Sequence, residues 1–343
     1  MIIHHFKTIV IIVATCLIPP SVMALELPAA QQLVMRRTID YIINCEFDSA
    51  LYVADSLFAV DKSDPTGQFL ALFTLGMRDL DYGIAYEPDR FVRSYKAVIK
   101  TLDSLEKKQG RTSYNLTIRG FAQSAYSSLY LRQKQYFAAA QTGLDAIANL
   151  QSAQKADSLN HDVDFFFGLY VFAKSELKKR LWWIMFWYDE NKKEGIARLE
   201  SCARSAQFAG SAARMSLADI YIREKEYDKA AKLLSELLLQ YPKSRYILWS
   251  QQKYFEEIAD FRQEQAVCEK LIALYTPVPA AEVYYLLARN RLAFSLMRQK
   301  LHNEAREQCE IIMKLKDRKN NDVAIKDVIA ETQKIINELN QKK

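Results

Sequence analysis

The chain has 343 residues, of which 50% are hydrophobic and 26% are charged, and its formal net charge is +6 at pH 7. Acidic and basic residues are interleaved, so the clustered basic stripe of a nucleic-acid-binding surface is excluded. Nine glycines and eight prolines are too few for the many turns of a β-protein and indicate an all-helical chain. A single compact core rarely exceeds about 300 residues, so two domains or an elongated repeat array is expected.

The first 24 residues are typical of a secretory signal peptide. Lys7 precedes an apolar run over 8–18, which is followed by two prolines and a small-residue site that ends at Ala24. The run is too short to cross a bilayer, which takes about 20 residues. Cleavage near Ala24 predicts a periplasmic, cell-surface or secreted protein. The alternative is a lipoprotein signal that uses Cys16.

Residues 25–158 are predicted to form the first helical hairpins. Small and aromatic residues at helical spacing mark two of these hairpins. They are Thr38, Tyr41, Phe47, Ala50, Ala54 and Leu57 in one, and Ser127, Tyr130, Tyr136, Ala139, Gly143 and Ala146 in the other. Between them, residues 65–82 and 88–108 are predicted to form a helix pair, since each begins with a proline close to its first turn.

Residues 159–210 are predicted to form a helix pair, 161–176 and 191–206, that an aromatic insert separates. Basic residues precede the insert and acidic residues follow it. We expect the insert to fold back over the aromatic helix before it, because each ring buries on the order of 150–250 Å². Contact with a membrane surface or a partner is the alternative. The residues for such a contact are Trp182, Trp183, Phe186 and Trp187.

The clearest unit is 211–244, which opens a C-terminal array assigned to 211–321. Its pattern places one apolar stripe on each of two helices, because steps of three and four residues return to the same helix face. The stripes are Leu217, Ala218 and Tyr221, then Ala230, Leu234 and Leu237, with Tyr227 over the turn and Pro242 at the end. Residues 245–276 fit this pattern only if one extra residue brings Ala266 into line.

These residue types at these spacings resemble the tetratricopeptide (TPR) family. The last unit matches at Ala293, Leu296, His302, Ala305, Cys309 and Ile312. The order of elements around the insert is also similar to that of a class of bacterial exported TPR proteins. The resemblance implies an all-α fold, a right-handed α-solenoid of six or seven hairpins. Residues 322–343 are predicted to supply a C-terminal capping helix that covers the last hairpin.

In a stack of TPR hairpins the first helix of each pair lines a concave groove. Transferring the positions of the clearest unit to the following ones gives a mixture of aromatic, methionine and arginine residues that suits recognition of an extended peptide or a helix. These residues are Met215, Asp219, Ile222, Arg223, Tyr246, Trp249, Lys253, Asn290, Phe294, Met297 and Arg298. Packing against an adjoining hairpin is the alternative role for several of them.

The sequence carries no recognisable catalytic or cofactor motif. Only His161 and His302 remain after cleavage, and both are assigned structural roles. The neighbouring acids Asp79 and Asp81 are interpreted as solvated surface. We therefore predict no metal or cofactor and a non-enzymatic exported scaffold that binds a protein or peptide. An envelope enzyme with a carboxylate site, or a transport or assembly accessory protein, is the alternative.

The four cysteines beyond residue 24 lack metal-ligand spacing and lie in helix-like stretches. They are Cys45, Cys202, Cys268 and Cys309. The prediction is buried free thiols, with a disulfide between Cys268 and Cys309 as the alternative for an exported protein.

Overall fold

The structure is a computed structural model that describes residues 29–180, 191–314 and 323–341. Over these ranges the chain forms α-helices, one 3-10 turn at Pro279–Ala281 and no strand. The helices are α1 Ala29–Ile43, α2 Phe47–Val60, α3 Thr66–Tyr82, α4 Pro88–Gln109, α5 Ser113–Arg132, α6 Tyr136–Ala156, α7 Val163–Arg180, α8 Lys192–Ser205, α9 Gly210–Arg223, α10 Tyr227–Gln240, α11 Arg245–Glu257, α12 Phe261–Tyr275, α13 Glu282–Arg298, α14 His302–Met313 and α15 Val323–Gln341.

Each helix packs against its neighbour in sequence, and first helices of successive pairs also contact one another, as α1 does with α3 and α9 with α11. The buried side chains form a series of clusters along the array, most of them built from adjacent pairs, and one of them also includes Ile43 of α1. Because each pair covers the apolar face of the next, this arrangement is an all-α solenoid of TPR-like hairpins. The predicted fold class is confirmed.

Five hairpins share one turn geometry. The first helix ends with a non-glycine residue in the left-handed region, at φ between 57° and 66°. At Lys225 the backbone N–H donates to the Ile222 carbonyl at 3.1 Å, and the next N–H donates to the Tyr221 carbonyl at 2.8 Å. This pair of hydrogen bonds is the Schellman motif, which satisfies carbonyls at the helix end. The left-handed residues are Cys45, Lys134, Lys225, Ala259 and Lys300.

Each of these five hairpins also brings together two residues that lie twelve positions apart, one on each helix. In four hairpins both are small, and we call them the small pair. The small pairs are Thr38 and Ala50, Ser127 and Ala139, Ala218 and Ala230, and Ala293 and Ala305. Their second-helix alanines are at most 3% exposed, since a small side chain lets two helices approach closely.

The hairpin of α11 and α12 differs, because Gln252 and Glu264 occupy these two positions. The prediction that this unit needs one extra residue is wrong. Its turn at Ala259 has the same length and geometry as the others, so the spacing continues unbroken and Ala266 lies exposed on the helix surface. Glu264, at the position of the usual alanine, is 0% exposed.

The array curves until its first helices contact its last third. Asp81 at the end of α3 and Arg245 at the start of α11 form a buried ion pair, with the Arg245 Nε 3.0 Å from both carboxylate oxygens. The Tyr241 hydroxyl donates to Asp40 at 2.7 Å, and the Lys243 N–H donates to the Asn44 side chain at 3.0 Å. These contacts join residues that are far apart in sequence and hold the array in its curved form.

This closure overturns the interpretation of Asp79 and Asp81 as solvated surface. Both are 3% exposed. Asp79 accepts a hydrogen bond from the Tyr86 N–H at 2.9 Å and lies 3.4 Å from Arg132. Two acids that face different sides of one helix are buried because other elements cover both sides, which no local pattern reveals.

The closing helix α15 covers the last pair, as predicted. Ile325 and Val328 pack with Leu286 and Ile312. Further along, Ile335 and Leu339 join a cluster with residues of α13 and α14. The end of the described array is therefore sealed by apolar contacts.

The four cysteines of the described chain are free thiols, as predicted, and three of them are buried while Cys45 is half-buried. Cys268 and Cys309 lie in the same apolar cluster as unbonded thiols. Among the described helices, none combines the length and the hydropathy needed to cross a bilayer.

Candidate functional site

A cavity of about 700 Å³ lies between α11 and α13, the first helices of two successive pairs. Its apolar lining is Trp249, Phe261, Leu287 and Phe294. Its polar lining is Gln252, Lys253, Glu256, Glu257, Arg291 and Arg298. The volume falls within the range of small-ligand sites, about 300–1,000 Å³, and the aromatic and charged lining suits recognition of a peptide.

Four of the eleven predicted groove residues line this cavity, namely Trp249, Lys253, Phe294 and Arg298. Four others are not part of it: Met215, Asp219 and Tyr246 are half-buried, and Arg223 is exposed on α9. Tyr246 donates its hydroxyl to the carbonyl of Met77, so it packs α11 against the first pairs. The recognition role of all these residues stays a prediction.

Three predicted groove residues are core residues instead. Ile222 is 1% exposed, Asn290 is 2% exposed and Met297 is 3% exposed. Ile222 is covered because neighbouring first helices pack against one another. Asn290 donates to the Thr332 hydroxyl of α15 at 2.9 Å, and Met297 packs in the cluster that α15 completes. The closing helix therefore covers the part of the predicted groove face that carries Asn290 and Met297.

Trp249 is held in the cavity wall by a chain of hydrogen bonds. Its indole N–H donates to the Tyr275 hydroxyl at 3.0 Å, and Tyr275 donates to Asp81 at 3.2 Å. Burial raises the pKa of Tyr275, so the phenol stays protonated and remains a donor. Because Asp81 also pairs with Arg245, the contact between α3 and α11 fixes the position of the indole.

At the base of the cavity, two larger polar residues occupy the positions that the small pair has in the other hairpins. Gln252 and Glu264, which we call the floor pair, are joined by a hydrogen bond from Gln252 Nε2 to Glu264 Oε1 at 2.6 Å. The same amide nitrogen donates to Glu256 at 3.1 Å. The second carboxyl oxygen of Glu264 is buried without a hydrogen-bond partner. Burial, with a contribution from the charge of Glu256, raises the pKa of Glu264 to about 7.

Three cations face the cavity from its two walls. Arg291 lies 3.7 Å from Glu256 across the cavity. The guanidinium of Arg298 lies 4.8 Å from the ring centre of Phe294, a cation–π arrangement that orients the side chain. Lys253 completes the set on α11. The arrangement offers positive charge beside aromatic surface, which can hold a ligand but includes no nucleophile next to a base.

Gln252, Arg291 and Glu264 were not predicted from the sequence as residues of the site. The signal for Gln252 and Glu264 was present, because a glutamine and a glutamate at the two small positions of a hairpin is a visible departure from the pattern. The extra residue that was assumed in order to align Ala266 concealed this departure. Arg291 could not be found in this way, because it does not occupy a groove position of the clearest unit and lines the cavity through the packing of α13 beside α11.

Trp182, Trp183, Phe186 and Trp187 lie outside the described residues, so their predicted contacts stay predictions. Over residues 29–180, 191–314 and 323–341 no group of three or more His, Cys, Asp or Glu side chains is arranged to hold a metal ion.

No protein-family model matches the chain, and no curated protein matches it. Among solved structures, the chain is similar to the TPR domain of P58(IPK), with 13% identity, coverage of 90% of this chain and 80% of that chain, and a TM-score of 0.27. A TM-score this low does not demonstrate a shared overall arrangement. The class of protein is therefore defined by the helix pairs, their shared turns and their small pairs: an all-α solenoid of TPR-like hairpins.

Proposed function

We propose that the chain is a non-enzymatic scaffold that binds a peptide segment of another protein in the cavity between α11 and α13. The observation that supports this function is the lining itself, in which aromatic side chains and three cations from two helices converge on one open space. Aromatic and arginine residues supply most of the binding free energy in protein interfaces. An extended or helical segment fits a groove between two helices.

The test is selection of peptides from a displayed library, with Trp249→Ala/Lys253→Glu as the comparison protein. Selected peptides should bind the wild type and lose about tenfold or more in affinity on the double variant, since an aromatic anchor and a charge are both removed. Far-ultraviolet circular dichroism should show unchanged helicity. Peptides that bind both proteins equally would contradict the proposal. The exposed pair Leu239→Ala/Lys232→Glu on α10 is the matched control.

A second candidate, an envelope enzyme, has one observation in its favour. A buried carboxyl with a pKa near 7 is suited to acid–base catalysis. Glu264 is 0% exposed, however, and Gln252 stands between it and the cavity. A direct role would require this carboxyl to reach a substrate, so binding is the better-supported function.

We also propose that the protein is exported, with residues 1–24 removed as a signal peptide. The order of basic, apolar and small residues supports this proposal. Amino-terminal sequencing of the protein from fractionated cells should give an envelope protein that begins just after Ala24. A cytoplasmic protein that retains residues 1–24 would contradict it.

The aromatic insert at 181–188 is proposed to pack on the protein, with peripheral membrane contact as the alternative. A Trp249→Phe background leaves only Trp182, Trp183 and Trp187 as indole fluorophores. Weak acrylamide quenching that vesicles do not change would support packing on the protein. Strong quenching that anionic vesicles suppress would support membrane contact, since indoles favour the membrane interface.

A further inference from the structure

The floor pair is the one departure from the small pair among the five hairpins that share the left-handed turn. In the other four, alanine occupies the position of Glu264. A buried carboxyl with one oxygen unpaired costs free energy that a methyl group would not. Departures of this kind occur mainly at functional sites. The floor pair lies at the base of the cavity, where Gln252 forms part of the lining.

The charge of the cavity depends on the protonation of Glu264. The lining carries Lys253, Arg291 and Arg298 against two carboxylates, Glu256 and Glu257. A neutral Glu264 leaves this lining with a positive excess. An ionised Glu264, behind Gln252, would cancel this excess of positive charge.

Gln252 leaves one group available to a ligand. Its amide nitrogen donates to both Glu264 and Glu256, so its carbonyl oxygen remains as an acceptor in the wall. A peptide backbone N–H is a donor of the required kind.

We propose that Glu264 is a specificity-determining residue, through which the cavity selects an acidic peptide segment and takes up a proton on binding it. This inference rests on the peptide-binding function proposed above. Carboxylates of the segment contact Lys253 and Arg298 beside the aromatic side chains. A backbone N–H of the segment donates to Gln252.

The direction of the pH dependence follows from the groups that face Glu264. Burial is the largest contribution and raises its pKa, the hydrogen bond from Gln252 lowers it, Glu256 on α11 raises it and Arg291 on α13 lowers it, which leaves a value of about 7. Cys268 on the same helix stays a neutral thiol, because burial raises its own pKa. A bound carboxylate disfavours ionisation of Glu264 and raises its pKa further. Affinity for an acidic segment therefore falls as the pH rises through 7.

The experiment uses two pools of short peptides that carry a rhodamine label, whose fluorescence does not depend on pH. Both pools vary aromatic and aliphatic residues at alternate positions, and the remaining positions are Glu in one pool and Lys in the other. Fluorescence anisotropy gives the affinities of wild type and Glu264→Gln at about pH 6 and about pH 8, where the peptide side chains keep their charges. Glu264→Ala, with the residue of the other four hairpins, is the second variant.

We expect the acidic pool to bind the wild type and to lose roughly tenfold in affinity between pH 6 and pH 8. Both variants should bind it equally at the two pH values. Tighter binding of the basic pool, or a pH dependence that persists in both variants, would overturn this inference while leaving peptide binding intact. Binding of neither pool, or binding that Trp249→Ala/Lys253→Glu does not weaken, would overturn the proposed function as well.

Discussion

Lys225 shows how a single turn residue bears on stability. It adopts φ of 62° in a helix-ending turn, a conformation that costs a residue with a Cβ about 1–2 kcal/mol and costs glycine almost nothing. A glycine at this position would avoid that cost, but part of the resulting stabilisation would be lost because glycine also makes the unfolded chain more flexible. The TPR-like turn is therefore held by its two backbone hydrogen bonds despite an unfavourable residue.

We predict that Lys225→Gly raises the free energy of unfolding by roughly 0.5–1 kcal/mol. The matched control is Lys232→Gly on the exposed face of α10, where the same change should lower it by about 1 kcal/mol. Urea unfolding followed by circular dichroism measures both. Destabilisation by Lys225→Gly would show that its side chain contributes a contact that the turn requires.

Glu264 makes stability depend on pH. Its pKa is about 7 in the folded protein against 4.5 for an ordinary glutamate, so between these values the folded state binds more protons than the unfolded state. The free energy of unfolding therefore falls as the pH rises from about 4.5 to 7 and levels off above that. The carboxyl thus opposes folding at alkaline pH.

We predict that Glu264→Gln is more stable than the wild type by about 2–3 kcal/mol at about pH 8, and that the difference disappears near pH 4.5. Paired urea titrations at the two pH values measure this. A constant difference between the two proteins would mean that Glu264 does not titrate in this range. Glu257→Gln, at an exposed position on α11, is the control and should change little.

At the scale of elements, the contact between α3 and α11 depends on Asp81 and Arg245. A buried ion pair contributes little net stability compared with a neutral pair, but removing one partner leaves an uncompensated charge. The Tyr275 hydroxyl contributes one further hydrogen bond to Asp81. This contact also supports Trp249 through Tyr275, so a substitution that disrupts the contact should also displace the indole in the cavity wall.

We predict that Arg245→Met lowers the free energy of unfolding by about 3–5 kcal/mol, and that the double variant Asp81→Asn/Arg245→Met is less destabilised than this single variant. The comparison is Arg214→Met, which removes the partly exposed ion pair with Glu236 and should cost less than about 1 kcal/mol. Thermal unfolding of the four proteins measures these differences. Equal destabilisation by the single and double variants would contradict the role assigned to the unpaired charge.

The helix pairs could be predicted from the sequence because their signals are local. Apolar residues at helical spacing and a phenylalanine or tyrosine after four of the five shared turns depend only on near neighbours, and the observed hairpins agree with them. The cavity could be predicted only in part. Trp249 and Phe294 follow from repeat positions, whereas the burial of Asn290 and Met297 depends on α15 and that of Asp81 depends on a helix more than 160 residues away.

At the scale of the whole molecule, the array curves so that its first pairs meet its last third. This curvature brings Asn44 beside Lys243 and Asp81 beside Arg245. It also connects the first third to the cavity through Tyr275 and Trp249. The consequence is that the cavity depends on residues of the first third of the chain, although only helices of the last third line it.

The most direct test of this closed arrangement is a zero-length cross-link between Glu46 and Lys243. Their side chains lie 3.3 Å apart and both are accessible at the surface, although 197 positions separate them in sequence. Carbodiimide treatment of the dilute protein, followed by mass spectrometry of the monomer, should yield the linked peptide pair, and Lys243→Gln should abolish it. A monomer in which Lys229 links to Glu226, its ion-pair partner three residues away, while Lys243 never links to Glu46, would show that the first pairs of the array do not meet its last third.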